Sequence, residues 1–206
     1  MTPSRSALLA VLGTTALLAQ TAPGLDPGFF SKDPRTLMTV CADKARASHP
    51  DDSRWLAEFG RIYLAAGAKD RAVEAFQRAA RLGKRDAVTH SLIAQAWLAH
   101  AVRAEATAAA NTAVELAPKN KAMIAALGVQ FTDAGFMAEG KGFMEKAYQL
   151  EPSDWEMAVE FGRACLRAQQ TEQAAVWFRH ALTGSTLDNQ VYKVVGLAYA
   201  DHGMKP

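Results

Sequence analysis

Residues 115–120 read ELAPKN, and residues 149–154 read QLEPSD. Pro118 and Pro152 lie one interval of 34 residues apart, and stepping back by the same interval leads to Lys84 in RLGKRD and to Pro50 in ASHPDD. Punctuation recurring at a fixed period marks one structural unit repeated along the chain. The units then run over 53–86, 87–120, 121–154 and 155–188, beginning at Ser53, Ala87, Lys121 and Trp155.

Each unit carries two amphipathic stretches. In the first, WLAEFGRIYLAAG puts Leu56, Phe59 and Tyr63 on one helical face with Gly60 beside Phe59, and DRAVEAFQRAARLG puts Ala72, Phe76 and Ala79 at intervals of four and three. Gly67 suits the end of the first helix. The second unit repeats the arrangement with Ile93, Ala94 and Trp97, then Ala106, Ala110 and Ala113. The third has Leu127, Gly128 and Phe131, then Gly140, Met144 and Ala147. The fourth has Phe161, Gly162 and Cys165, then Ala174, Phe178 and Ala181, ending at Thr186 where proline stands elsewhere. Small residues recur where two helices approach closely and large ones where they interlock.

These positions resemble the tetratricopeptide repeat (TPR) over residues 53–188, with its pattern of leucine-glycine, aromatic, alanine, phenylalanine, alanine and proline. The resemblance implies an all-α, right-handed superhelical solenoid of about four full repeats. Each end continues the pattern with half a repeat. At the start, Asp33-Pro34 reads as a cap and first helical residue, opening a second-type helix over 34–48. At the other end, NQVYKVVGLAYADHG over 189–203 reads as a first-type helix, with Tyr192, Val195, Gly196 and Tyr199 in packing places.

The first nineteen residues differ from the rest. MTPSR carries a positive charge, SALLAVLGTTALLA is apolar and uncharged, and QTAPG follows. That is the layout of a secretory signal peptide, with cleavage after Ala19 preferred to Ala22 and a linker over 20–33. The apolar run reaches about 20 Å as a helix, short of the roughly 30 Å of a bilayer core, so no membrane span is expected. Export to the periplasm or the medium follows.

Twenty-three lysines and arginines against 21 aspartates and glutamates give a net charge of +2 with no basic patch, which speaks against nucleic acid. Cys41 and Cys165 fall on units far apart, and are expected as two buried free thiols rather than a disulfide. His49, His90, His100, His180 and His202 form no zinc-ligand set, and no nucleophile arrangement is visible, so neither metal, cofactor nor enzymatic activity is expected. GFMAEGKG over 135–142 nearly matches a phosphate-binding loop. It has Gly142 where a hydroxyl belongs, and it follows a helix rather than a strand. Trp97 is expected in the core, and Met123, Met137, Met144 and Met157 gather around the third unit.

In the family that this chain resembles, the first helix of each unit lines a concave groove through its second, fifth, ninth, twelfth and thirteenth residues. Carried over, those positions are Arg54, Ala57, Arg61 and Leu64; Val88, Ser91, Gln95 and Leu98; Ala122, Ala125, Val129, Thr132 and Asp133; and Glu156, Val159, Arg163, Leu166 and Arg167. The expected groove is apolar in its middle with arginines at both ends, fitting an apolar peptide or helix with acidic flanks. The lysine and asparagine that clamp a C-terminal carboxylate in some relatives are absent. A second docking surface is expected at Val191, Tyr192, Val194 and Leu197, because apolar residues nearly encircle that terminal helix and a second copy or a partner would cover them. The implied role is a non-enzymatic protein-binding scaffold, similar to exported repeat proteins of bacterial envelope assembly. The alternative is a periplasmic chaperone for apolar segments.

Overall fold

The computed structural model describes residues 32–184 and 189–203. The expected signal peptide, most of the linker and residues 185–188, where the fourth unit was expected to end, lie outside them. Ten α-helices fill the described residues: α1 Pro34–Ser48, α2 Ser53–Ala65, α3 Lys69–Leu82, α4 Ala87–Leu98, α5 Arg103–Leu116, α6 Lys121–Asp133, α7 Met137–Leu150, α8 Trp155–Arg167, α9 Thr171–Gly184 and α10 Asn189–Asp201. The helices α2 and α3, α4 and α5, α6 and α7, and α8 and α9 pack as four antiparallel hairpins, and α1 and α10 stand singly at the ends. This is the all-α TPR array that the repeat pattern implied.

Two local devices recur once per unit and set where the helices begin and turn. Asp52, Asp86, Asn120 and Asp154, spaced by the repeat interval, each cap a first helix by accepting a hydrogen bond from a backbone N–H in its opening turn. Asp33 caps α1 in the same way. At the other end of each first helix, Gly67, Ala101, Gly135 and Gln169 take positive φ angles of 80°, 54°, 85° and 59°. The residue after each donates its N–H back to a carbonyl five places earlier: Ala68 to Tyr63, Val102 to Trp97, Phe136 to Phe131 and Gln170 to Cys165. These bonds satisfy the free carbonyls of the first helix and reverse the chain into the second. Glycine takes the left-handed turn without steric penalty in two units. Ala101 and Gln169 hold it at a cost of about 1–2 kcal/mol.

Packing within a hairpin matches volume across one contact. A methyl placed on Gly60 would overlap the Phe76 ring, and one on Gly162 would overlap the Phe178 ring in the same way. Gly128 faces Met144 in the third unit, and in the second unit Ala94 and Ala110, both wholly buried, occupy the same two places. Phe76 then reaches forward to Trp97 of the next unit at 5.1 Å, and Phe178 meets Tyr199 at 5.0 Å in the same relation. Each unit therefore supplies part of its neighbour's core, so that no hairpin buries its apolar face alone.

GFMAEGKG spans the turn between α6 and α7, with Gly135 in the left-handed turn and Gly140 against α6. Among the described residues no helix is long and apolar enough to cross a membrane, and no cluster of metal-ligating side chains forms. Trp97 and Trp177 are buried, Trp155 is half-buried and Trp55 is exposed. Both cysteines are free, yet only Cys165 is buried. Cys41 is exposed on α1, a correction to the expected pair of buried thiols. Among the described residues, no first-type helix of its own unit stands before α1 to cover that face.

Candidate functional site

The first helices line one side of the array, and there a cavity of about 970 Å³ opens across three units. Glu58 and Arg61 enter it from α2, Leu92, Gln95 and Leu98 from α4, and Gln130 and Asp133 from α6. The turn Ala99–Ala101 and Ala134 complete the wall, with His100 among them. The repeat interval explains the arrangement, since Arg61 and Gln95 are the ninth residues of their helices and stack along the groove one unit apart.

Charge in the groove is paired within the protein. Arg61 donates to Glu58 at 2.8 Å, and Arg167 of α8 grips Asp133 with two bonds of 2.9 Å each. Beyond the cavity, Arg54 is bound to Asp86 and Arg163 to Glu160. Exposed pairs of this kind contribute about 0–1 kcal/mol each, but they leave the groove close to neutral. Free hydrogen-bonding capacity lies with the amides. Gln95 donates to Ser91 Oγ at 3.2 Å, and Gln130 Oε1 is buried with no hydrogen-bond partner among the described residues. A buried acceptor without a partner is costly.

Of the expected groove residues, Arg61, Gln95, Leu98 and Asp133 line this cavity, and Arg167 adjoins it through Asp133. Arg54, Val88, Val129 and Arg163 stand outside it. The expected apolar middle needs correction. Leu64, Leu98, Val159 and Leu166 are only 8%, 6%, 2% and 4% exposed, and Ala57, Ser91 and Thr132 are buried with them. The twelfth residue of a first helix lies against its own second helix, as the close approach of Gly140 to Thr132 shows. The fifth falls where successive first helices pack together, α2 on α4 and α6 on α8. Glu58, Leu92 and Gln130 were missed because they lie between the family positions, and His100 because it lies in the turn after α4.

At the C-terminal end, Tyr192 and Leu197 are exposed and Val194 is half-buried, whereas Val191 is fully buried against the fourth unit and is not part of a docking surface. Two polar groups elsewhere are shaped by burial. His90 is nine-tenths buried, and that burial lowers the pKa of its imidazole. The Cys165 thiol is pushed up to about 11 by burial. Both hold structural places.

No protein-family model matches this chain, and no curated protein matches it. Solved structures with a similar arrangement of helices include MamA, at 17% identity and a TM-score of 0.48, covering 74% of this chain and 95% of that one. Another is the APC/C hetero-tetramer Cut9-Hcn1, at 17% identity and a TM-score of 0.48, covering 94% of this chain and 40% of that one. A third is YrrB, described as a TPR protein with an unusual peptide-binding site, at 16% identity and a TM-score of 0.43, covering 79% of this chain and 84% of that one. The architecture of the present chain stands on its own hairpins, caps and turns.

Proposed function

We propose that this TPR array is a protein-binding scaffold, without chemistry of its own, whose groove across α2, α4 and α6 takes a peptide or helix of a partner. The observation that carries the reading is the cavity of about 970 Å³ opening across three units, with the side chains of Gln95 and Gln130 among those that line it. Its volume lies near the upper end of the range of ligand-binding clefts, about 300–1,000 Å³. Side-chain amides on successive units match the donors and acceptors of a peptide backbone, and the paired charges make the site insensitive to the partner's net charge. Recognition by amides replaces the acidic-flanked, apolar ligand that the sequence suggested.

Residues 1–19 support a place outside the cytoplasm, where assembly of an envelope complex is the role we assign to the scaffold. The chaperone alternative draws less support, since Leu64 and Leu166, expected to line an apolar groove, are buried and outside the cavity.

Panning a randomised peptide library on the purified protein tests the groove. The selected peptides should lose at least tenfold in affinity when Gln95 and Gln130 are both changed to alanine, and should keep it in a variant altered on the opposite face at Lys146. Selected peptides that bind the Gln95→Ala, Gln130→Ala protein as tightly as the parent would overturn the proposal.

A further inference from the structure

The two ends of the described array are the two halves of one repeat. Helix α10 sits in the lattice as the first helix of a fifth unit, with Tyr199 against Phe178 as Trp97 lies against Phe76. Among the described residues no second helix covers it. Helix α1 is a second-type helix, fastened to the first unit by Tyr63 Oη donating to Asp43 at 2.7 Å and by the Arg46–Glu74 pair. Beyond α2 of the next unit, no first-type helix of its own unit lies beside it among the described residues.

Position by position, the uncovered residues are those that interior units bury. The fourth residue of a first helix is fully buried in Leu56, Ile124 and Ala158 and nearly so in His90, whereas Tyr192 at the same place is 62% exposed. The eighth is sealed by the unit's own second helix at Gly60, Gly128 and Gly162, whereas a methyl on Gly196 would meet nothing within 4 Å. At the opposite end, the third residue of a first helix packs on the preceding unit, as Thr89 does through Ser53 Oγ at 2.9 Å. Thr89, Met157 and Val191 are all buried there, and Trp55 is 46% exposed. Cys41 is exposed at the place where Ala75, Phe143 and Trp177 are buried.

We propose that copies of this chain dock end to end, α10 of one molecule seating on α1 and α2 of the next, so that two half repeats close one complete repeat. The volumes agree with the interior contacts. Gly196 and Ala200 on α10 leave room for Met38, which stands where interior units have alanine or glycine, and Tyr192 falls opposite the small Ala45. Trp55 gains the preceding first helix that it lacks among the described residues. The contact is heterologous, joining different surfaces of the two copies, so a chain of molecules can grow through it. It rests on α2 through Trp55, which does not line the groove, and does not involve Gln95 or Gln130, so the assembly is tested separately from the groove's ligand.

Sedimentation velocity of the full chain from about 10 to 300 µM, combined with two end-blocking variants, tests this. The parent should grow in mass with concentration. Trp55→Glu and Tyr192→Glu should each stay monomeric alone, because each loses one end. Mixed in equal amounts they should form a heterodimer and nothing larger, since each contributes its intact end. Both residues are exposed, so each variant should melt within a few degrees of the parent; if one does not, glutamine at the same position serves instead. A parent that is monomeric throughout overturns the proposal. So does association that Tyr192→Glu abolishes and Trp55→Glu leaves intact, which would mark a symmetric contact between two C-terminal ends. Failure of the mixture to pair has the same force.

Discussion

Two glycines one turn-half apart on α7 should respond in opposite directions to the same substitution. Gly142 faces outward, and a methyl there meets nothing within 4 Å, so Gly142→Ala gains only the helix propensity of alanine, about 1 kcal/mol. For a chain of this size that raises the melting midpoint by roughly 2–4 °C. Gly140→Ala gains the same propensity, but its methyl overlaps Thr132 Oγ1 and lies 2.9 Å from the Thr132 nitrogen and 3.0 Å from the Gly128 carbonyl oxygen. Two of those atoms belong to the backbone of α6 and cannot turn aside, so the hairpin must open. Overpacking of that kind costs about 1–3 kcal/mol, enough to cancel the propensity gain or exceed it. Thermal unfolding followed by circular dichroism should place Gly142→Ala above the parent and Gly140→Ala below it. Gly140→Ala melting as high as Gly142→Ala would refute the close approach of α6 and α7. Gly128→Leu, which meets the Met144 nitrogen at 2.9 Å with its first carbon alone, should melt lower still.

Asp86 accepts from Arg54, from the Thr89 hydroxyl and from the Val88 N–H, and the Arg54 bond chiefly holds its carboxyl down to about 2. Because that value lies below the unfolded one, the bonds stabilise the fold above about pH 4, and the contribution fades as pH falls towards 2. Asp86→Ala should therefore cost about 1 kcal/mol at neutral pH as a lost cap, and its stability should approach that of the parent near pH 2; an equal deficit at both pH values would contradict the assignment. In thiol titration of the native protein, Cys41 should react readily, while Cys165, buried and with its thiol raised to about 11, should react only on unfolding. Two thiols reacting at one rate would show that α8 is not packed as described. The groove and the end-to-end contact carry their own tests above.

What the sequence determined by itself is the hairpin and its period. Pro118 and Pro152, the small residues at Gly60, Gly128 and Gly162, and the matching Phe76, Met144 and Phe178 are signals internal to one unit, and repetition reinforces them at each step. Only the cap at Asp33 was read from the sequence, and the structure adds Asp52, Asp86, Asn120 and Asp154 at the repeat interval. The groove was legible only in part, because facing it is a property of two units together. A single helix pattern places Leu64, Leu98, Val159 and Leu166 at the edge of its buried face, and whether such an edge meets water depends on how tightly the next helix seals it. Tertiary structure sealed these four and turned Gln130 inward. It also chose the partners of Arg61 and Arg167, since long side chains find their carboxylates only after the units have stacked. The same reason governs the ends: a half repeat reads like any other helix in sequence, and only the packed array reveals that Trp55 and Tyr192 are exposed at places that interior units bury.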